Sequence, residues 1–212
     1  AIDAFLLSCA VRQLRGQGRE HMSMLVHVTR FTAVQKQVAR QIEAHQRHIR
    51  QRLQRQIDHL PLVERLAMLW ERDFIPTGAG INDDITGSTV RLPLWSDILK
   101  ILPEIIEDIQ IRMINGTAKD ALDYVEYQET GLKVIAIGGD KLARGLTLEG
   151  LSVSYFLRAS RMYDTLMQMG RWFGYRPGYI DLCRLYTTEE LVEWFGHIAD
   201  ASEELREEFD TM

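Results

Sequence analysis

The sequence predicts an α/β protein: a parallel sheet flanked by helices, with a helical insertion after the first strand. Two observations carry this expectation. Short apolar runs recur along the second half of the chain and alternate with helical or loop segments, the rhythm of βαβ units. One further run of the same kind, "SMLVHVT" (23–29), stands apart from them, separated by a long stretch of helical period. At 212 residues the chain can bury a full core, and we read residues 1–212 as one lobe with the insertion spanning 31–107.

In chain order, residues 2–14 read as a helix, and "RGQGRE" (15–20) breaks it. The run 23–29 is bounded by polar residues, which marks a buried strand. From Phe31 to Leu60 the period is helical, with Val34, Val38, Ile42, Ile49, Leu53 and Ile57 on one stripe. Lys36, Arg40, Arg47 and Arg50 fall on the opposite face, with Glu43 the single acid among them. That face reads either as an ordinary solvated surface or as one that follows phosphates. Residues 61–75 continue as helix, and "PTGAGINDDITGSTV" (76–90) reads as a long loop. A helix is expected from Trp95 to Glu107. Strands are expected at 109–114, 133–139, 151–157 and 181–187. A C-terminal amphipathic helix begins at Glu189, with Leu191, Phe195, Ile198, Leu205 and Phe209 inward and its many Glu residues outward.

The composition removes several classes of function. Net charge is −5, so no global basic character announces nucleic acid, although a local basic surface can exist. The two cysteines, Cys9 and Cys183, form no CxxC pair, which argues against a zinc site or a disulfide framework and for a reducing cytoplasm. No apolar run approaches the roughly 20 residues of a membrane span. The start lacks the features of a signal peptide and an initiator Met, which is the expectation for a piece of a longer bacterial-type protein. No GxxxxGK(S/T) phosphate loop occurs, nor an acidic pair placed to hold magnesium after an apolar strand.

Two segments carry chemistry. "GGDKLARGLTLEG" (138–150) follows the strand 133–139 at the sheet edge where ligands bind in open parallel sheets. Gly138 and Gly139 permit a sharp turn, and Arg144-Gly145 sets a cation beside backbone amides. "QMGRWFGYR" (168–176) holds Arg171 and Arg176 among Gly170, Gly174 and three aromatics. The planar, always-charged guanidinium suits phosphate oxygens, and the aromatics can lock its rotamer. The plainer readings are a connector with a surface arginine, and an arginine stacked in an aromatic cluster.

The run from Asp140 to Gly178 resembles the second RecA-like lobe of superfamily-two helicases and translocases. Ala143–Gly150 is similar to their motif V, and Tyr163–Arg176 to the helix and motif VI that follow. Thr147 stands where many of those proteins carry Asp, and Gln168 where the first arginine of motif VI is common. "WFGYR" (172–176) is two residues longer than the usual spacing. Over more of the chain, "MLVHVTRFTAVQKQV", "GGDKLARGLTLEGLSVSYFLR" and "MYDTLMQMGRWFGYRPGY" resemble the Z-one domain family, for which endonuclease activity in restriction-type bacterial proteins has been suggested.

The resemblance implies a RecA-like motor lobe of a nucleic-acid-dependent ATPase, in a restriction or defence system. It implies that Arg171 and Arg176 reach ATP and magnesium held by an N-terminal lobe elsewhere in the protein, either being the finger. Asp140, Arg144, Gly145, Gln168, Gly170 and Gly174 would line or couple that site, while Thr29, Arg30, Lys141 and Thr147 would meet nucleic acid, with double-stranded DNA the expected polymer. A nuclease subunit is a further expected companion, and the chain alone would not hydrolyse ATP. Two rival readings stay open. One is a metal-dependent endonuclease using Asp83 and Asp84 beside Asn82, a trio that also reads as a turn or helix cap. The other is a non-catalytic protein-interaction module.

Overall fold

A computed structural model describes residues 1–81, 91–114, 124–139, 148–157, 176 and 178–210. The described strands form one sheet in the order β2-β3-β1-β4-β5, every neighbouring pair parallel. They are β1 (Met22–His27), β2 (Gln110–Ile114), β3 (Lys133–Gly138), β4 (Leu151–Phe156) and β5 (Arg184–Tyr186). β1 is central, pairing Met24 with Ile135 on one side and with Val153 on the other. Its six residues are all buried, as expected of a parallel strand covered on both faces.

The two faces can be read from the period of two. Met22, Met24 and Val26 of β1, Ile135 and Ile137 of β3 and Val153 of β4 point into one core. There they meet α1 (Ile2–Arg12), α2 (Thr32–Arg55), α3 (Leu60–Leu69) and α5 (Trp95–Asp108). Leu25, Val134, Ala136 and Phe156 point the other way, onto Leu191 of α6 (Glu189–Asp210), with Trp194, Phe195 and Ile198 packed around them. α1 and the helices between β1 and β2 thus build the layer over this face of the sheet. α5 contributes Ile98, Leu102, Ile105 and Ile106 to it, all buried.

Several sequence expectations shift in register. The first helix ends at Arg12 and passes into a π-helical turn, Gln13–Gln17, where Gly16 takes φ 82°. α2 buries Ile42, Ile49 and Leu53 as the stripe requires, but Val34 and Ile57 are 42% and 66% exposed. Ile57 lies beyond the helix, which stops at Gln56 in the left-handed conformation (φ 53°). Residues 76–90 do not begin as loop: after a π-helical turn at Trp70–Phe74, Ile75–Gly80 form a short helix, α4, with Pro76 in its first turn. Within 181–187 only Arg184–Tyr186 is strand, because Ile180–Leu182 form a 3₁₀ turn.

Candidate functional site

Because all strands run the same way, their carboxyl ends share one edge of the sheet and their amino ends the other. At the carboxyl edge β1 runs out into Thr29 and Arg30 before α2 begins. The turn is tied from within: the Phe31 amide donates to Thr29 Oγ1 at 3.2 Å, and Gln35 Nε2 donates to the Thr29 carbonyl at 2.9 Å. Gln35 is 1% exposed and its Oε1 has no hydrogen-bond partner among the described residues. Gly139, just past β3, lies against the same turn. A Cβ there would stand 2.8 Å from Gln35 Nε2 and 3.2 Å from the Thr29 carbonyl oxygen, so glycine lets the two strand ends approach this closely without displacing Gln35. The Leu157 amide donates to the His27 carbonyl at 3.1 Å and ties the end of β4 to the same place. His27 itself is fully buried and stacks on Phe156 with ring centroids 5.1 Å apart.

Arg30 is exposed, its guanidinium 5.2 Å from the Phe31 ring centroid, with Phe31 60% exposed. The pair presents a cation to solvent at the carboxyl edge of the sheet. Beside it opens a cavity of about 530 Å³, lined by Met24, Val26, Val38, Ile42 and Tyr155 among others. Among the described residues no lysine or arginine lines that cavity, so a phosphate at this edge would meet Arg30 outside it.

The amino edge is built differently. Arg12, 3% exposed, donates from Nη1 to the His21 carbonyl at 2.9 Å and from Nε to Gln17 Oε1 at 2.9 Å, with its guanidinium 4.1 Å over the Tyr179 ring. Burial lowers its pKa, with Tyr179 and Cys9 acting the other way. Arg15 forms a two-pronged pair with Asp181 at 2.8 and 2.6 Å. Arg184 clasps both oxygens of Asp73 at 3.0 and 2.9 Å and lies 4.4 Å over the Phe74 ring. Gly150, at φ 64°, closes this edge. A Cβ there would fall 1.7 Å from the His21 carbonyl oxygen.

Of the residues singled out from sequence, the structure brings Thr29 and Arg30 together with Gly139 at the carboxyl edge. It places Arg176 elsewhere. The Arg176 Nε donates to the carbonyl of Leu151, the first residue of β4, at 3.1 Å, which fixes it at the amino edge near Tyr179. A six-residue strand is about 17–20 Å long, so Arg176 and Thr29 stand at opposite ends of the sheet. Asp140, Lys141, Arg144, Gly145, Thr147, Gln168, Gly170, Arg171 and Gly174 lie outside the described residues, as do Asn82, Asp83 and Asp84. Lys36, Arg40 and Arg47 are exposed on α2 and Arg50 partly so, as the helical period requires.

Gln35 is the residue that sequence reading passed over. Its signal was available: a polar side chain four residues before Ala39 and seven before Ile42, on the stripe that faces the core. Burial pushes the Cys9 thiol up to about 12 and the Cys183 thiol up to about 11, which leaves both protonated near neutral pH and poor ligands or nucleophiles. Among the described residues no group of three His, Cys, Asp or Glu side chains could hold a metal ion. Nor is any described helix long and apolar enough to cross a membrane.

A parallel sheet covered by helices, with a tied turn at its carboxyl edge, defines a broad class of open-sheet α/β domains. Within that class the family can be named. A family model described as the Z1 domain matches residues 1–212, and the chain belongs to that family, the Z-one family whose motifs it carries. No curated protein and no solved structure was found to match it.

Proposed function

We propose that the chain is the C-terminal motor lobe of a nucleic-acid-dependent ATPase or translocase, working in the cytoplasm as part of a bacterial-type restriction or defence system. The observation that supports this best is the Thr29–Arg30 turn. It stands at the carboxyl edge, braced by Gln35 and crowded by Gly139, with the arginine free in solvent. A hydroxyl and a guanidinium on a braced turn are suited to one phosphodiester group of double-stranded DNA. Lys141 and Thr147 are proposed to extend that contact, and Asp140, Arg144 and Gly145 to couple it to the nucleotide.

ATP and magnesium belong in this reading to a first lobe of the same protein, and this lobe supplies the arginine. When bound there, the nucleotide supplies the phosphoryl group whose charge a guanidinium can stabilise. Arg171, with Gln168, Gly170 and Gly174 as its scaffold, takes that role. Arg176 fits it less well, because its Nε is committed to the Leu151 carbonyl at the amino edge. Its part is then to hold the start of β4, and the longer "WFGYR" spacing is accommodated without a second finger.

The test is DNA-stimulated ATP hydrolysis by the intact parent protein. Arg171→Ala is expected to lower turnover by about a thousandfold or more with DNA affinity retained, the size of contribution such a finger makes. Arg176→Ala is expected to lower the melting temperature and leave turnover per folded molecule close to wild type. Full turnover in Arg171→Ala would sink the motor-lobe reading.

A further inference from the structure

The outward face of α2 separates itself from the rest of the molecule by charge. α2 carries six Lys or Arg residues and a single Glu, a formal +5. The whole chain is −5, so everything outside α2 sums to −10. α6 alone carries seven Glu and two Asp against one Arg, a formal −8. These helices lie on opposite faces of the sheet, α2 through Ala39, Ile42, Ile49 and Leu53, α6 through Leu191. The sheet therefore stands between one strongly basic helix and one strongly acidic helix.

On α2 the charges are also aligned. At 100° per residue, Lys36, Arg40, Arg47 and Arg50 fall within an arc of about 80°, whose centre lies about 100° around the helix from that of the buried stripe. At 1.5 Å per residue they span about 21 Å, roughly the rise of six base pairs of duplex. Among the described residues none of the four is ion-paired. Arg47 is four residues from Glu43, yet its Nε donates to the Glu43 main-chain oxygen at 3.4 Å, not to the carboxylate. A helix face evolved only for solubility intersperses both signs and pairs them at this spacing. This one sets a single acid, Glu43, among the four bases and pairs it with none of them.

The geometry points to α2 as a sequence-independent tract for the phosphate backbone of a nucleic-acid duplex, running on from Arg30 at the carboxyl edge. A duplex is favoured over a single strand because the arc holds no aromatic side chain on which an unstacked base could lie. A protein partner is disfavoured because the arc holds no apolar anchor of the kind that dominates protein interfaces. The acidic α6 layer repels the same polymer, so the lobe would dock in one orientation. The choice of polymer rests on the nucleic-acid reading above, but the tract is independent of the arginine finger.

The experiment is fluorescence anisotropy of the 212-residue chain with a labelled duplex of arbitrary sequence, titrated across 50–200 mM salt. The quadruple change Lys36→Glu, Arg40→Glu, Arg47→Glu, Arg50→Glu is expected to weaken binding at least thirtyfold. The slope of log K against log salt should fall by about 3–4, near 0.9 per lost phosphate contact. Glu43→Lys serves where the quadruple variant fails to fold, and it is expected to tighten binding and steepen the slope. Thr29→Ala/Arg30→Ala separates the two readings: if it binds duplex nearly as well as wild type while the α2 variant does not, the tract stands and the edge site falls. A folded quadruple variant that binds like wild type overturns the inference. So does a wild-type chain that ignores duplex but self-associates through α2 in low salt, which would assign the face to the acidic α6 of another copy.

Discussion

The two edges of the sheet use arginine for opposite purposes. At the amino edge Arg12, Arg15 and Arg184 are buried or nearly so, and each is spent on protein acceptors and, for Arg12 and Arg184, on an aromatic face. Arg176 joins them through Leu151. At the carboxyl edge Arg30 stands in solvent on a turn that other residues hold. The first set closes a fold whose helices and sheet meet across long sequence distances, and the second leaves a cation available. A guanidinium buried against fixed acceptors cannot reach a ligand without abandoning them, so burial separates struts from candidate binding groups.

The sharpest way to break this comparison is at the glycines. Gly150→Ala at the amino edge forces a Cβ onto the His21 carbonyl, backbone against backbone, at a positive φ. A loss of about 4 kcal/mol or more is expected, the range reserved for named structural failures. Gly139→Ala at the carboxyl edge meets first the Gln35 side chain, which can turn away, and is expected to cost about 1–2 kcal/mol. Urea unfolding of both variants ranks them. Equal losses would mean that the two edges are equally rigid.

Next in size is the Arg15–Asp181 pair, whose side chains are 12% and 2% exposed. Asp181→Ala leaves Arg15 nearly buried without its carboxylate and is expected to cost about 3–5 kcal/mol. The double change Arg15→Met/Asp181→Leu should recover much of that loss, since an apolar pair of similar size removes both desolvation costs. Failure of the double variant to recover would show that the pair is needed for its hydrogen bond to Gly178 as well as its charge.

How much of this was legible in the sequence follows from how local each feature is. The strands were, because a buried parallel strand writes itself as a short apolar run, and Met22–His27 and Lys133–Gly138 fall within a residue or two of where they were expected. α2 and α5 were, because their burial follows one helical period. α4 was not: "PTGAG" has the composition of a loop, and its helix is set by context, with Gly78 against the Leu92 side chain. The amino-edge arginines were not, since Arg15 meets Asp181 across 166 residues and nothing local announces it. The candidate site was half legible. Thr29 and Arg30 stand where a strand end should place them, whereas Arg176 sits beside a glycine-rich motif in sequence and at the far edge in space.

The smallest expected effect bears on Arg30. If the carboxyl edge holds a free cation and not a strut, Arg30→Ala should change stability by no more than about 0.5 kcal/mol, as for a surface substitution away from any special feature. Its contact with the exposed Phe31 ring is open to solvent and contributes little. The same variant should bind duplex a few-fold more weakly, with the salt slope reduced by about one, the signature of a single lost phosphate contact. The two readouts move independently, which gives the measurement its force. A fall in melting temperature without a change in salt slope would make Arg30 one more strut, and the distinction between the edges would then rest on burial alone.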